Sequence, residues 1–228
     1  MLMQGAGRRR RWVGFISGAM SLVAVSLLAC SNPEPFLGTE LRPAEPAMTF
    51  ELRNQFGQQV SLSDYAGKVA LVTFLYTNCP DVCPIVTSQL GDAHAMLGDD
   101  ASDVAFAAIS VDPRRDSVQA ASAYSDKWKM TYKWDFLVGG EGELSPIWKA
   151  YFLDPVIDEG SHQTDVHSDE ENQPKGDVSG LRDDIADGFL VIHSTPVYLI
   201  DRDGIKRVVF TPPLDPEALV HDIRLLLE

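Results

Sequence analysis

With 228 residues, 45% of them apolar and 9% aromatic, the chain can bury one good core, and two domains would be cramped. A formal net charge of −14 disfavours nucleic acid as a partner, because its phosphates would be repelled. The charge suits a soluble body that either meets cationic partners or simply stays in solution.

Residues 1–29 differ in kind from the rest. Arg8, Arg9, Arg10 and Arg11 precede an uncharged, mostly apolar run from Trp12 to Ala29, and Cys30 follows. A basic segment and then an apolar one make an export signal. Leu27-Leu28-Ala29-Cys30 resembles the bacterial lipobox, in which the cysteine is lipidated and becomes the new N-terminus. The alternative is an uncleaved anchor, since the run is near the roughly 17-residue minimum for a span. Loss of the leader, which carries four arginines and no acid, takes the net charge from −14 to −18. Either route holds the body on a membrane outside the cytoplasm, in a bacterial envelope or periplasm. Residues 30–47, with Pro33, Pro35, Pro43 and Pro46, read as an extended tether. Residues 48–228 form the domain.

Met48 to Arg53 and Val60 to Ser63 read as a β-hairpin turning near Gly57, and Ser63 to Lys68 as a turn or single helical turn. Val69 to Tyr76 is an apolar run that predicts a buried strand. It leads through Thr77-Asn78 to Cys79-Pro80-Asp81-Val82-Cys83-Pro84 and into helical periodicity ending at Gly98. Val104 to Val111 predicts a second buried strand, and Asp116 to Met130 a helix capped by Asp116 or Ser117. Asp135 to Val138 is a short strand and Leu144 to Phe152 a helix. Residues 154–187 hold eleven Asp or Glu against one Lys and one Arg, an acidic loop insertion. Phe189 to Asp201 reads as a strand and Asp203-Gly204 as a hairpin turn. Ile205 to Phe210 reads as its partner strand and Asp215 to Leu227 as a closing amphipathic helix. This order predicts an α/β, thioredoxin-like three-layer sandwich.

Cys79 and Cys83 are the two cysteines outside the leader. They straddle the predicted helix start, where N–H groups and the positive dipole end stabilise a thiolate. Residues four apart share a helix face, so the pair can hold one ion or form a disulfide. A structural disulfide would close a very small loop and constrain little. A redox dithiol and a metal pair are the other readings. Two thiolates suffice for linear Cu(I), whereas Cu(II) or zinc needs a further ligand. Among the histidines, His94 sits inside the helix, His221 is expected to face solvent, and His162 and His167 lie in the acidic loop. His193 differs, because it leads into a core strand that in a thioredoxin-like sandwich approaches the cysteine loop.

Cys79-Pro-Asp-Val-Cys83-Pro, Ser110-Val-Asp-Pro-Arg-Arg-Asp116, Lys149-Ala-Tyr151 and His193-Ser through Tyr198-Leu-Ile-Asp201-Arg-Asp-Gly204 together resemble the Sco/SenC proteins, over roughly Thr49 to Leu227. The resemblance implies a membrane-tethered protein that binds one copper, as Cu(I) or Cu(II), through Cys79, Cys83 and His193. It implies delivery to the CuA-bearing subunit of cytochrome c oxidase or to other periplasmic copper or thiol proteins, without turnover of a small substrate. The alternative is a thiol–disulfide oxidoreductase that keeps the CuA cysteines reduced, with Cys79 and Cys83 as its redox pair. A thiol peroxidase is a weaker third reading, since no peroxidase-type motif is identifiable. Pro196, after Thr195, resembles the cis-proline beside the cysteines of true thioredoxins and favours the redox reading.

Overall fold

A computed structural model describes residues 34–158, 190–192 and 194–228. Its frame is a six-stranded sheet built on β4, Val69–Leu75, in which every residue is buried. A continuous apolar run of this kind suits a strand covered on both faces. On one side β4 pairs in parallel with β5 (Val104–Ser110), and β5 in parallel with β6 (Asp135–Leu137). On the other side it pairs antiparallel with β9 (Val197–Ile200), which is followed by β10 (Ile205–Phe210) and, at the edge, β1 (Thr39–Pro46).

Helices cover both faces, giving the three layers expected. Helix α1 (Val82–Leu97) lies on the face of Phe106, which packs against His94 with ring centroids 5.3 Å apart. Helix α2 (Val118–Lys127) shares that face: its Tyr124 hydroxyl meets Thr87 Oγ1 at 2.9 Å and its ring packs on Phe136. Helix α4 (Pro216–Leu227) packs beside α1. On the opposite face α3 (Glu141–Ala150) runs into Tyr151, whose ring lies 5.2 Å from Phe74 and 4.9 Å from Tyr198. The expected hairpin is present as β2 (Glu51–Arg53) and β3 (Gln59–Ser61), and Gly57 in its turn adopts φ +75°, which glycine takes without strain.

Three expectations need correction. The tether expected over 30–47 is too long, because Thr39–Pro46 pairs with β10. Its prolines signal extended chain in either case, and an edge strand with a register irregularity between Glu40 and Glu45 tolerates them. The strand expected over Phe189 to Asp201 is two strands: β8 (Leu190–Ile192) pairs with β7 (Val156–Asp158) in a separate ribbon, and β9 alone joins the main sheet. The acidic stretch expected as a loop over 154–187 thus includes a strand, β7, near its start, and residues 159–187 lie outside the described residues. Of the two caps expected for α2, Ser117 is the one used, accepting from Ala120 N at 3.1 Å, while Asp116 turns inward. The leader, Cys30, His162, His167 and His193 lie outside the described residues. Among the described residues no helix is long and apolar enough to cross a membrane.

The first described segment is joined to the last helix. Asp222 in α4 is fully buried, and its carboxylate accepts from Leu37 N at 2.8 Å and Gly38 N at 2.9 Å. His221 faces solvent less than expected: its ring meets Asp222 Oδ1 at 2.9 Å and Glu34 Oε1 at 3.3 Å.

Candidate metal and thiol site

Strand β4 delivers the site. Tyr76, Thr77 and Asn78 carry the chain out of the sheet, and Cys79 N donates to Tyr76 O at 3.3 Å to close the turn. Asp81 occupies the N-cap of α1 without making a side-chain cap bond. Instead Cys83 N donates to Cys79 Sγ at 3.4 Å. The sulfur thus takes the place of a capping oxygen and uses one of the orphan donors of the first turn.

Both cysteines are free thiols and buried. The Cys79 thiol is brought down to about 6, chiefly because the Cys83 thiol donates to it; the Asp81 and Cys83 amides help, against the cost of desolvation. Burial pushes Cys83 far up, and the bonded, charged neighbour at Cys79 pushes it further. The pair therefore shares one proton near neutral pH: a thiolate at Cys79 and a thiol at Cys83. A soft cation that displaced this proton would be held by two sulfurs.

The turn is braced by a neighbouring loop. Asp116 is buried, and its Oδ1 accepts from Thr77 N at 3.0 Å and Thr77 Oγ1 at 2.6 Å, while Oδ2 accepts from Ser110 Oγ at 2.6 Å. Burial pushes the Asp116 carboxyl up to about 6, opposed by the bonds from Ser110 and Thr77. Asp112 pairs with Arg115, whose guanidinium lies 5.7 Å from the Tyr76 ring centroid.

Because β9 runs antiparallel to β4, its N-terminal end lies beside the C-terminal end of β4, with Thr73 opposite Val197. Thr73 Oγ1 donates to Pro196 O at 3.0 Å. The segment that enters β9 is thereby fixed at the end of the sheet from which the cysteines emerge. The Thr195–Pro196 peptide is trans, the cis bonds among the described residues being Arg42–Pro43 and Pro212–Pro213. Its likeness to the thioredoxin cis-proline does not extend to that bond. His94 is not with the cysteines: it packs on Phe106, and burial lowers its imidazole. His221 is engaged with Glu34 and Asp222. Among the described residues no three His, Cys, Asp or Glu cluster as a metal site.

The SCO1/SenC family profile matches residues 39–169, more than half of the chain. The chain belongs to the SCO1/SenC family. Among SCO1/SenC relatives, a SCO1 protein homolog of Bacillus subtilis is 31% identical over 121 residues, 52% of this chain and 60% of that protein. The chain thus spans less than two thirds of that relative's length. A SCO1/SenC family lipoprotein of Bacillus anthracis has a solved structure that superposes with a TM-score of 0.62 at 27% identity, covering 82% of this chain and 99% of that one. The structure of ScoI from Bradyrhizobium japonicum with copper bound superposes at 0.60 and 26% identity, covering 79% of this chain and 98% of that one. The thioredoxin-like α/β sandwich of the SCO1/SenC proteins is therefore the fold of this chain.

Sequence reasoning missed Asp116 as part of the site. An aspartate just before a helix reads as a cap, and only the approach of Thr77 across the sheet end distinguishes the two roles.

Proposed function

We propose that the domain is a copper chaperone, which binds one copper ion through Cys79, Cys83 and His193 and delivers it to the CuA site during cytochrome c oxidase assembly. The observation that carries the reading is the cysteine pair, two buried, unbridged sulfurs where α1 starts, with Cys83 N donating to Cys79 Sγ. Such a sulfur pair selects a soft ion, and an imidazole added to it keeps Cu(II) accessible. Support for His193 comes from its neighbour three residues on: Pro196 is tied to β4 at the same sheet end. Further support comes from the family and from the copper held by the Bradyrhizobium relative. Delivery proceeds by exchange of the ion onto the acceptor's cysteines, with no small substrate turned over. Lipidation of Cys30 tethers the domain to a membrane outside the cytoplasm; the Bacillus anthracis relative is itself described as a lipoprotein. Copper titration of the exported chain tests the ligand set. Parent protein binds one equivalent with an intense thiolate-to-Cu(II) absorption, and Cys79→Ser, Cys83→Ser and His193→Ala each weaken it. A His193→Ala variant that holds Cu(II) as tightly as the parent removes the three-ligand model.

A second reading is favoured by the split acidity of the pair. In a thiol–disulfide oxidoreductase, the Cys79 thiolate attacks a disulfide between the CuA cysteines and forms a mixed disulfide. Cys83 then resolves it, leaving Cys79–Cys83 oxidised and two thiols on the partner, and an external thiol reductant restores the pair. It needs no His193. A Cys83→Ser variant that traps no mixed disulfide counts against it.

A further inference from the structure

The motif Ser110-Val-Asp-Pro-Arg-Arg-Asp116 supplies no ligand to the proposed copper site, yet it is the best-braced polar cluster beside it. We propose that Asp116 is a positioning residue: its buried carboxylate holds the Thr77 turn and thereby sets where Cys79 stands relative to the start of α1.

Three donors converge on this carboxylate, and two of them, Thr77 N and Thr77 Oγ1, belong to a residue only two positions before Cys79. Burying a carboxylate is costly unless it is hydrogen-bonded, and this one is bonded on both oxygens. Its conformation is not needed to start α2, because Ser117 already does so. The rest of the motif makes the brace stiff. Ser110 Oγ accepts from Asp112 N at 3.0 Å while donating to Asp116, and Asp116 N donates to Asp112 O at 3.0 Å. Asp112, itself buried, pairs with Arg115, and Arg115 covers the Tyr76 ring. The turn from 76 to 79 is therefore held at Tyr76 by a ring contact and at Thr77 by the carboxylate. Its own Cys79 N to Tyr76 O bond closes it. Releasing Thr77 frees the turn to carry the Cys79 sulfur off the Cys83 amide.

The effect on copper handling rests on the proposed function, whereas the positioning itself is read without metal. The test uses the full chain in detergent with Asp116→Asn and Thr77→Val, and with Thr77→Ser, which keeps the hydroxyl. Hydrogen–deuterium exchange of the peptide covering 75–80 is expected to rise at least tenfold in Asp116→Asn and Thr77→Val. Peptides of α4 stay at the parent rate, and Thr77→Ser matches the parent throughout. After loading with Cu(II), loss of the ion to EDTA is expected to be at least tenfold faster in the first two variants. Parent-like exchange in both of them overturns the assignment. So does an acceleration spread equally over β5 and α4, which marks a merely structural residue. If Asp116→Asn does not fold, Thr77→Val decides by the same criteria. A parent chain that holds no Cu(II), with turn-local exchange still raised in the variants, supports the positioning role and removes the copper reading instead.

Discussion

The backbone N–H of Cys83 points at the sulfur of Cys79 across 3.4 Å, from the first turn of the helix back to the residue that leads into it. The contact is a lesser one of those that make the two thiols unequal: the Cys83 thiol, which donates to Cys79, acts first on Cys79, and burial acts first on Cys83. Cys79 is brought down to about 6 and Cys83 is pushed far up. Since a depressed thiol is ionised above its own pKa, metal-free protein is expected to react with iodoacetamide at Cys79 with a midpoint near pH 6. At pH 7 Cys79 should be mostly thiolate, against a few per cent for an ordinary thiol near 8.5. Cys83 should label at least tenfold more slowly until the chain is denatured. Peptide mass spectrometry after timed labelling checks this, and equal labelling of both in the folded state contradicts it.

Asp222 joins the last helix to the chain's first described strand region through Leu37 N and Gly38 N. Removing the carboxylate leaves two amides without their acceptor, a loss of roughly 1–3 kcal/mol for a buried polar group. Asp222→Ala should lower the urea midpoint by an amount matching about 2 kcal/mol at constant slope. Exchange of β1 amides should accelerate with it. An unchanged midpoint would mean that β1 contributes nothing to stability through this link.

His221 is raised above its ordinary value, first by its hydrogen bond to Asp222 and then by that to Glu34. A histidine raised in the folded state lends stability that is fully present below its unfolded pKa of about 6.5. That stability is lost as pH rises through the higher folded value. His221→Gln should therefore be less stable than the parent at pH 5.5, with the gap closing by pH 8.5. Thermal unfolding across that range measures it; a gap independent of pH would show that the charged imidazole is not what matters.

Two tyrosines that touch should respond oppositely to loss of their hydroxyls. The Tyr151 hydroxyl is buried without a hydrogen-bond partner among the described residues, whereas Tyr198 OH donates to Tyr151 O at 2.8 Å. Tyr151→Phe removes an unpaired polar atom and should be neutral or stabilising by up to about 1 kcal/mol. Tyr198→Phe should cost about 1 kcal/mol. Denaturant midpoints of both single variants check the ordering, and a destabilised Tyr151→Phe reverses it.

Much of the architecture was legible because periodicity and punctuation agree with burial. The unbroken apolar runs at Val69–Leu75 and Val104–Ser110 could be little else than doubly covered strands. The start of α1 was legible as well, since Pro84 suits an early helical position and apolar residues recur at helical spacing after it. Less legible was Thr39–Pro46, because prolines advertise extended chain without saying whether β10 lies alongside. The break between β8 and β9 was less plain too: the polar stretch His193-Ser194-Thr195 before Pro196 marks an interruption, but nothing in it shows that the apolar runs on either side pair with different partners.

By itself, then, the sequence singled out the residues of the proposed site: two thiols at a helix start and a histidine upstream of β9. These choices are local, written in residue type and spacing. Only the tertiary structure decided that Asp116 turns from α2 to grip Thr77, that Pro196 is tied to the end of β4, and that Asp222 holds Leu37 and Gly38. Each is a hydrogen bond between residues 39 to 185 positions apart. Such a bond exists because the strand order brings those backbones together, which is a property of the packed sheet and not of either segment alone.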